Sequence, residues 1–293
     1  MIVWLASYPR SGNTLLRTIC RHCFHLYSYA DEPVDYESEF RSNPDLIGHI
    51  EYQEPWEEFY PKASASPEVF LVKTHNYPID NQPVIYVVRD GRSSIQSYRK
   101  FHLSFNRIDK SLVSIILGND HYGDWSTHFD KWNNRDVKRL LIRIEDLVDI
   151  TGEGLAEIAA FIHYNGEINK WSNPVQELQA YEPNFFNEKN REFIPGKDWT
   201  PTIEYVFNKL HHQLMADLKY NELSFPLDRK SDQLPGIDLI IDDLILLVKQ
   251  LQNNNHELMG VCKERKALID KLQGICEERL DIIRKFHQPD DKI

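Results

Sequence analysis

Three stretches of the chain combine residue types that can grip an anion and move a proton. The first is Ser7–Thr14, SYPRSGNT. An apolar run precedes it and an amphipathic run follows it, so it reads as a strand–turn–helix junction. Unsatisfied backbone N–H groups and the positive end of a helix dipole meet at such a junction, where phosphate or sulfate binds. Gly12 lets the backbone come close. Ser11, Asn13 and Thr14 add donors, and Arg10 adds a fixed positive charge. The second stretch is Lys73-Thr74-His75, after the apolar run Val69 to Val72. A histidine near its ordinary pKa of about 6.5 takes up a proton at neutral pH. Lys73, two residues earlier, shares its face in extended backbone. The third stretch is Arg89-Asp90-Gly91-Arg92, beyond the run Val84 to Val88 and before another helical stretch. Each has a plainer reading: a capped turn for Ser7–Thr14, a surface or core histidine for His75, a solvated ion pair for Arg92.

Positioning these groups requires a particular scaffold. Ile2 to Ala6, Val69 to Val72, Val84 to Val88 and Arg139 to Ile144 are short apolar runs, each passing into polar residues and then a helical pattern. That alternation predicts an α/β fold with a parallel central sheet and flanking helices. In such sheets ligands gather beyond the carboxyl ends of the strands. Arg10, Lys73, His75 and Arg89 all stand there.

The bulk properties exclude several classes. With 293 residues and a net charge of −11, the chain lacks the overall positive charge of a nucleic-acid or anionic-membrane binder. Cys20 and Cys23 lie in the helical stretch Thr14 to His25 beside His22 and His25, with no second ligand cluster. They read as buried thiols, and no metal is expected. No apolar window reaches the length of a membrane span, and no leader is expected at Ile2 to Ala6, so the expectation is cytoplasmic. The ATPase pattern GxxxxGK[ST] is absent: Ser7 occupies its first glycine position and the basic residue precedes Ser-Gly.

A second region begins after Phe225-Pro226. The expected organisation is a catalytic domain over 1–230, a linker over 231–236, a coiled-coil helix over 237–286 and a tail over 287–293. From Ile237 to Ile283 a 4,3 spacing places apolar or cysteine residues at every seam position except Asn255, Arg265 and Arg279. A seam amide such as Asn255 commonly sets register and strand number. The expected consequence is a homo-oligomer formed through this helix.

Compared with known families, SYPRSGNTLLR resembles the 5′-phosphosulfate loop of sulfotransferases that use 3′-phosphoadenosine 5′-phosphosulfate (PAPS). VIYVVRDGRSSIQSY resembles their 3′-phosphate segment, and FLVKTHNYP resembles the segment carrying their catalytic histidine. YGDWSTHFDKW and RIEDL match in order and spacing, so the resemblance covers about residues 1 to 220. It implies a P-loop-type sulfotransferase fold and sulfuryl transfer to a hydroxyl or amine; the acidic and aromatic residues between 26 and 68 suit a carbohydrate or small-molecule acceptor. It also assigns roles. Arg10, Ser11, Gly12, Asn13 and Thr14 would hold the 5′-phosphosulfate, and Arg89 and Ser97 the 3′-phosphate. His75 would be the general base, with Lys73 and Arg10 supporting charge. REFIPGKDW would bring Arg191 and Gly196 to the 3′-phosphate. Arg10 stands where cytosolic members usually carry Lys, and Leu15 where they carry Trp beside adenine. A small-molecule kinase and a non-catalytic nucleotide-binding assembly protein are the competing readings. The first needs the missing lysine, and the second leaves Lys73 and His75 unexplained.

Overall fold

The computed structural model describes residues 1–31, 44–104, 111–174, 176–177, 193–220 and 237–286. Arg191, the expected linker 231–236 and the expected tail 287–293 lie outside them. The chain divides into two compact units, Met1–Asp228 and Arg229–Ile293.

The first unit is built on five strands in the order β2-β3-β1-β4-β5, every neighbouring pair parallel. They are β1 (Ile2–Ser7), β2 (Ser28–Ala30), β3 (Phe70–Thr74), β4 (Val84–Val88) and β5 (Arg139–Arg143). Between them run α1 (Asn13–Phe24), α2 (Pro44–Ile47), α3 (Trp56–Ala65), α4 (Gly91–Ser104), α5 (Leu112–Ile116) and α6 (Trp125–Asn133). After β5 come α7 (Ile144–Val148), α8 (Gly152–Phe161) and α9 (Pro201–Asp217). The four strands read from apolar runs are present. The fifth, β2, was not expected, because three residues reading Ser-Tyr-Ala carry no apolar signal.

β1 is central and buried at every residue. Successive side chains alternate across the sheet. Val3 and Leu5 join Leu16, Ile19 and Cys23 of α1 and Leu155 and Ile158 of α8 in one core cluster. Trp4 faces the other way and meets Trp56, Tyr60 and Trp132 of α3 and α6. Helices therefore cover both faces, and each fully buried Leu or Ile contributes about 1.5–3 kcal/mol to holding the layers together. Cys20 and Cys23 are buried in this core, and burial pushes their thiols up to about 12 and about 11.

The strand order determines where a ligand can reach the sheet. β1 pairs with β3 on one side and β4 on the other, with Leu5 beside Lys73 and Ser7 beside Val87. The chain leaves β1 toward the β2–β3 side and returns across it to β4. The loops after β1, β3 and β4 consequently open around one crevice at the carboxyl edge.

The second unit contains α10 (Ile237–Phe286), a helix of 50 residues. At 1.5 Å per residue it is roughly 75 Å long. Leu244, Leu251, Leu258, Ile269 and Leu272 of the expected seam are exposed. Among the described residues no helix is long and apolar enough to cross a membrane.

Candidate active site

The loop after β1 turns tightly, with Ser11 N–H donating to the Tyr8 carbonyl at 3.2 Å. Two residues adopt left-handed backbone, Arg10 at φ 65° and Gly12 at φ 110°. A Cβ at position 12 would lie 2.7 Å from the Ile144 side chain, so glycine is required by both space and conformation. Gly12 is the N-cap of α1 and no side chain caps that end. The first-turn amides of α1 have no carbonyl partner within the helix, and the dipole makes this end positive. This arrangement suits a phosphate or sulfate group.

The donors named from sequence divide on inspection. The Asn13 amide Nδ2 donates back to the Leu5 carbonyl at 2.6 Å, leaving its backbone N–H as the group at the loop. Ser11 and Ser94 share a hydrogen bond at 2.9 Å, tying the loop to the first turn of α4. The Arg10 Nε donates to Ser97 Oγ at 3.2 Å, and its guanidinium lies over the Phe101 ring at 5.3 Å. Arg89 Nη1 donates to the Arg10 carbonyl at 3.2 Å. The residues expected at the two phosphates are therefore linked to one another. Burial holds the Arg89 guanidinium below its usual range, countered by the charges of Glu145 and Asp90.

α4 begins differently from α1. Asp90 Oδ1 accepts the Arg92 and Ser93 N–H groups at 2.9 and 3.4 Å, so a carboxylate already caps it. Arg92 is buried and bridges Asp90 at 2.6 Å and Glu204 at 3.7 Å, which resolves it as an ion-pair residue. The segment after the undescribed stretch docks on α4: Gly196 N–H donates to Gln96 Oε1 at 2.7 Å, and Arg99 pairs with Asp198 at 2.7 Å. Gly196 thus sits beside the helix that carries Ser97.

His75 follows β3 directly. Its Nδ1 donates to the Ser7 carbonyl at 2.7 Å, with Ser7 Oγ 3.4 Å away. A carbonyl only accepts, so Nδ1 carries the proton and Nε2 the lone pair in the neutral ring. That is the tautomer a base requires. Lys73 lies on β3 between Leu5 of β1 and Ala30 of β2. Tyr122 meets the His75 ring edge-on at 6.0 Å. Tyr98 lies beyond it, against Tyr8, Tyr122 and His102.

The backbone around His75 is held as firmly as its ring. His128 Nε2 donates to the His75 carbonyl at 2.8 Å, and Trp132 Nε1 donates to the Asn76 carbonyl at 3.0 Å. Thr74 Oγ1 donates to Asp31 at 2.6 Å and accepts the Asn76 N–H at 2.9 Å. His128 is buried, and both its ring nitrogens are hydrogen-bonded, one to Tyr86 Oη at 2.8 Å. The one signal in the chain is its spacing: Trp125, His128 and Trp132 share a helix face, with an imidazole among indoles. Among the described residues no group of three or more His, Cys, Asp and Glu side chains is placed to hold a metal ion.

A sequence model of the sulfotransferase domain matches residues 2–216. The chain belongs to the sulfotransferase domain family. Sulfotransferase 4A1 of Mus musculus is 27% identical over 164 residues, 50% of this chain and 54% of that protein. The Homo sapiens protein of the same name matches to the same extent. The chain thus spans about half the length of the curated relatives it matches. Among solved structures, mouse sulfotransferase SULT7A1 complexed with PAP aligns with a TM-score of 0.46. It is 17% identical, over 83% of this chain and 87% of that one. A sulfotransferase from Alicyclobacillus acidocaldarius aligns with a TM-score of 0.42 at 10% identity, over 75% and 96%. In this sulfotransferase domain the matched residues run from β1 to α9 and include all three site loops.

Proposed function

We propose that this chain transfers a sulfuryl group from PAPS to a hydroxyl, or an amine, of a carbohydrate or small-molecule acceptor. The observation that carries the reading is the His75 imidazole, hydrogen-bonded to the last residue of β1 beside an uncapped helix N-terminus. An anion cradle and a base in the correct tautomer therefore share one strand end. Domain membership over residues 2–216 supports the same reading.

In this reading the amides of Gly12, Asn13 and Thr14, with Ser11 and Arg10, hold the 5′-phosphosulfate. Arg89 and Ser97 hold the 3′-phosphate, with Gly196 supplying backbone nearby. Three demands follow from the chemistry: the acceptor loses a proton, the sulfuryl oxygens are held, and charge on the leaving phosphate is stabilised. His75 Nε2 takes the proton. Lys73 and Arg10 meet the developing charge, and one well-aimed donor of this kind is worth roughly 3–4 kcal/mol. Arg10 serves as a fixed two-pronged cation and not as a proton donor. Transfer is in line, within one ternary complex. The aromatic side chain of Tyr122 beside His75 suits a sugar ring or a flat small molecule.

The exposed apolar stripe of α10 forms a coiled coil with other copies of the chain in this reading, with Asn255 in the seam.

The deciding experiment measures sulfuryl transfer from labelled PAPS to a mixture of acceptors, with 3′,5′-ADP and Mg-ATP compared by thermal shift. His75→Ala should lower turnover about 10²–10⁴-fold while 3′,5′-ADP still binds. Undiminished turnover in that variant removes the base from the mechanism. Stabilisation by Mg-ATP alone would move the chain to phosphoryl chemistry.

A further inference from the structure

We propose that His128 is a positioning residue for His75, acting through its hydrogen bond to the His75 carbonyl, with the Tyr86 hydroxyl fixing the His128 ring. The proposal rests on reading His75 as the general base.

Three hydrogen bonds connect the residues. His75 Nδ1–H donates to the Ser7 carbonyl at 2.7 Å. Tyr86 Oη–H donates to His128 Nδ1 at 2.8 Å. His128 Nε2–H donates to the His75 carbonyl at 2.8 Å. The Tyr86 and His128 donors run in one direction toward His75, so the first bond polarises the second. The direction is forced: a carbonyl cannot donate, so His128 must carry its proton on Nε2 and accept at Nδ1.

These bonds determine two things about His75. Its backbone is held at the end of β3 by a side chain from α6, and its imidazole is held by a peptide of β1. With the backbone fixed, Nδ1 stays on the Ser7 carbonyl and the lone pair of the neutral ring stays on Nε2. Reversing the proton on either histidine would set two donors or two acceptors face to face. Burial keeps His128 neutral, its pKa lowered to about 4 by desolvation against the opposing pull of the His75 carbonyl, Asp120 and Asp124. His128 is fully buried and packs against Tyr8, Tyr77 and Tyr86, so it does not line the route to solvent. It acts on the reaction only through His75.

The test reads the His75 tautomer directly and needs no acceptor. The full chain, saturated with 3′,5′-ADP, is labelled with 15N-histidine, and the two ring nitrogens of His75 are assigned against His75→Ala. In the wild type one nitrogen carries the proton and the two shifts stand far apart. In His128→Phe, which keeps a ring but no hydrogen bonds, the separation collapses as both tautomers become populated. His128→Gln, whose amide still donates to the His75 carbonyl, restores most of the separation. Tyr86→Phe removes the donor that fixes the His128 ring and gives an intermediate collapse, which keeps the proposal open to refutation if His128→Phe does not fold. Affinity for 3′,5′-ADP should be the same in all of these variants. An unchanged His75 separation in His128→Phe or Tyr86→Phe overturns the proposal, even if His75→Ala has lost turnover. Turnover retained in His75→Ala overturns the base reading instead, whatever the spectra show.

Discussion

The carboxyl edge of the sheet and the C-terminal helix use apolar residues in opposite ways. At the edge every element is cross-braced: β1 to β3 through Ser7 and His75, β1 to α4 through Ser11 and Ser94, β3 to α6 through His75 and His128. Its apolar residues are buried beneath the polar groups and hold them still. Along α10 the apolar residues face outward, with Leu251 53% and Leu258 62% exposed. The first region carries its own partners. In the proposed coiled-coil reading, the second takes its partner from another copy of the chain. Chemistry needs geometry held within the fold, whereas assembly needs a surface left open for association.

The largest expected effect separates the two regions outright. Leu251→Asp with Leu258→Asp places two charges in the α10 stripe and should abolish self-association in sedimentation, without changing 3′,5′-ADP affinity. If the doubly substituted chain sediments as the wild type does, the stripe is not the assembly face.

The next effect is confined to the braced edge and is read in acid. An unfolded His128 protonates near 6.5, whereas the folded one stays neutral down to about 4. Between those values the unfolded chain binds the extra proton, so stability falls as pH drops from 6.5 and levels off near 4. The full difference is about 3 kcal/mol. Denaturant unfolding from pH 7 to pH 4 should show that loss in the wild type and a shallower one in His128→Gln. Equal slopes would mean that His128 is not held neutral.

A smaller effect tests the donor side. Replacing Arg89 by Met removes one charge-assisted contact, worth about 2 kcal/mol, and should weaken 3′,5′-ADP roughly 30-fold while sparing 5′-AMP. Equal losses for the two nucleotides, by calorimetry, would take Arg89 away from the 3′-phosphate.

The smallest effect probes the loop itself. Gly12→Ala forces a Cβ against Ile144 at a backbone angle that L-residues avoid. It should cost about 1–3 kcal/mol in thermal unfolding and weaken the nucleotide as well. A variant as stable as the wild type would show that the loop relaxes without cost.

Much of this was legible before any coordinates. Strands buried on both faces read as continuous apolar runs, as β1 and β4 do, and β3 and β5 have apolar centres, so all four stand out; Lys73 lies within β3, Arg89 follows β4 and Arg143 ends β5. The long helix was legible because its period persists over many turns. β2 was not, since a three-residue edge strand beginning with a buried serine has no period to detect. Asn13 was taken for an anion donor, and its side chain instead braces β1 from below. Tyr86 and His128 were missed as partners of His75 because they are remote in sequence and meet only across a strand and a helix.

The order of residue types along the chain determined the α/β scaffold and singled out the Ser7–Thr14 loop, and the motifs resembling the sulfotransferase family ranked His75 as the candidate base. These depend on local periodicity and on backbone chemistry within a few residues. Only the tertiary structure decided which nitrogen of His75 carries the proton, which donors remain at the loop, and what holds the imidazole in place. Each of those is settled by a hydrogen bond between groups far apart in sequence, and such a bond exists only after the sheet has brought its strand ends together.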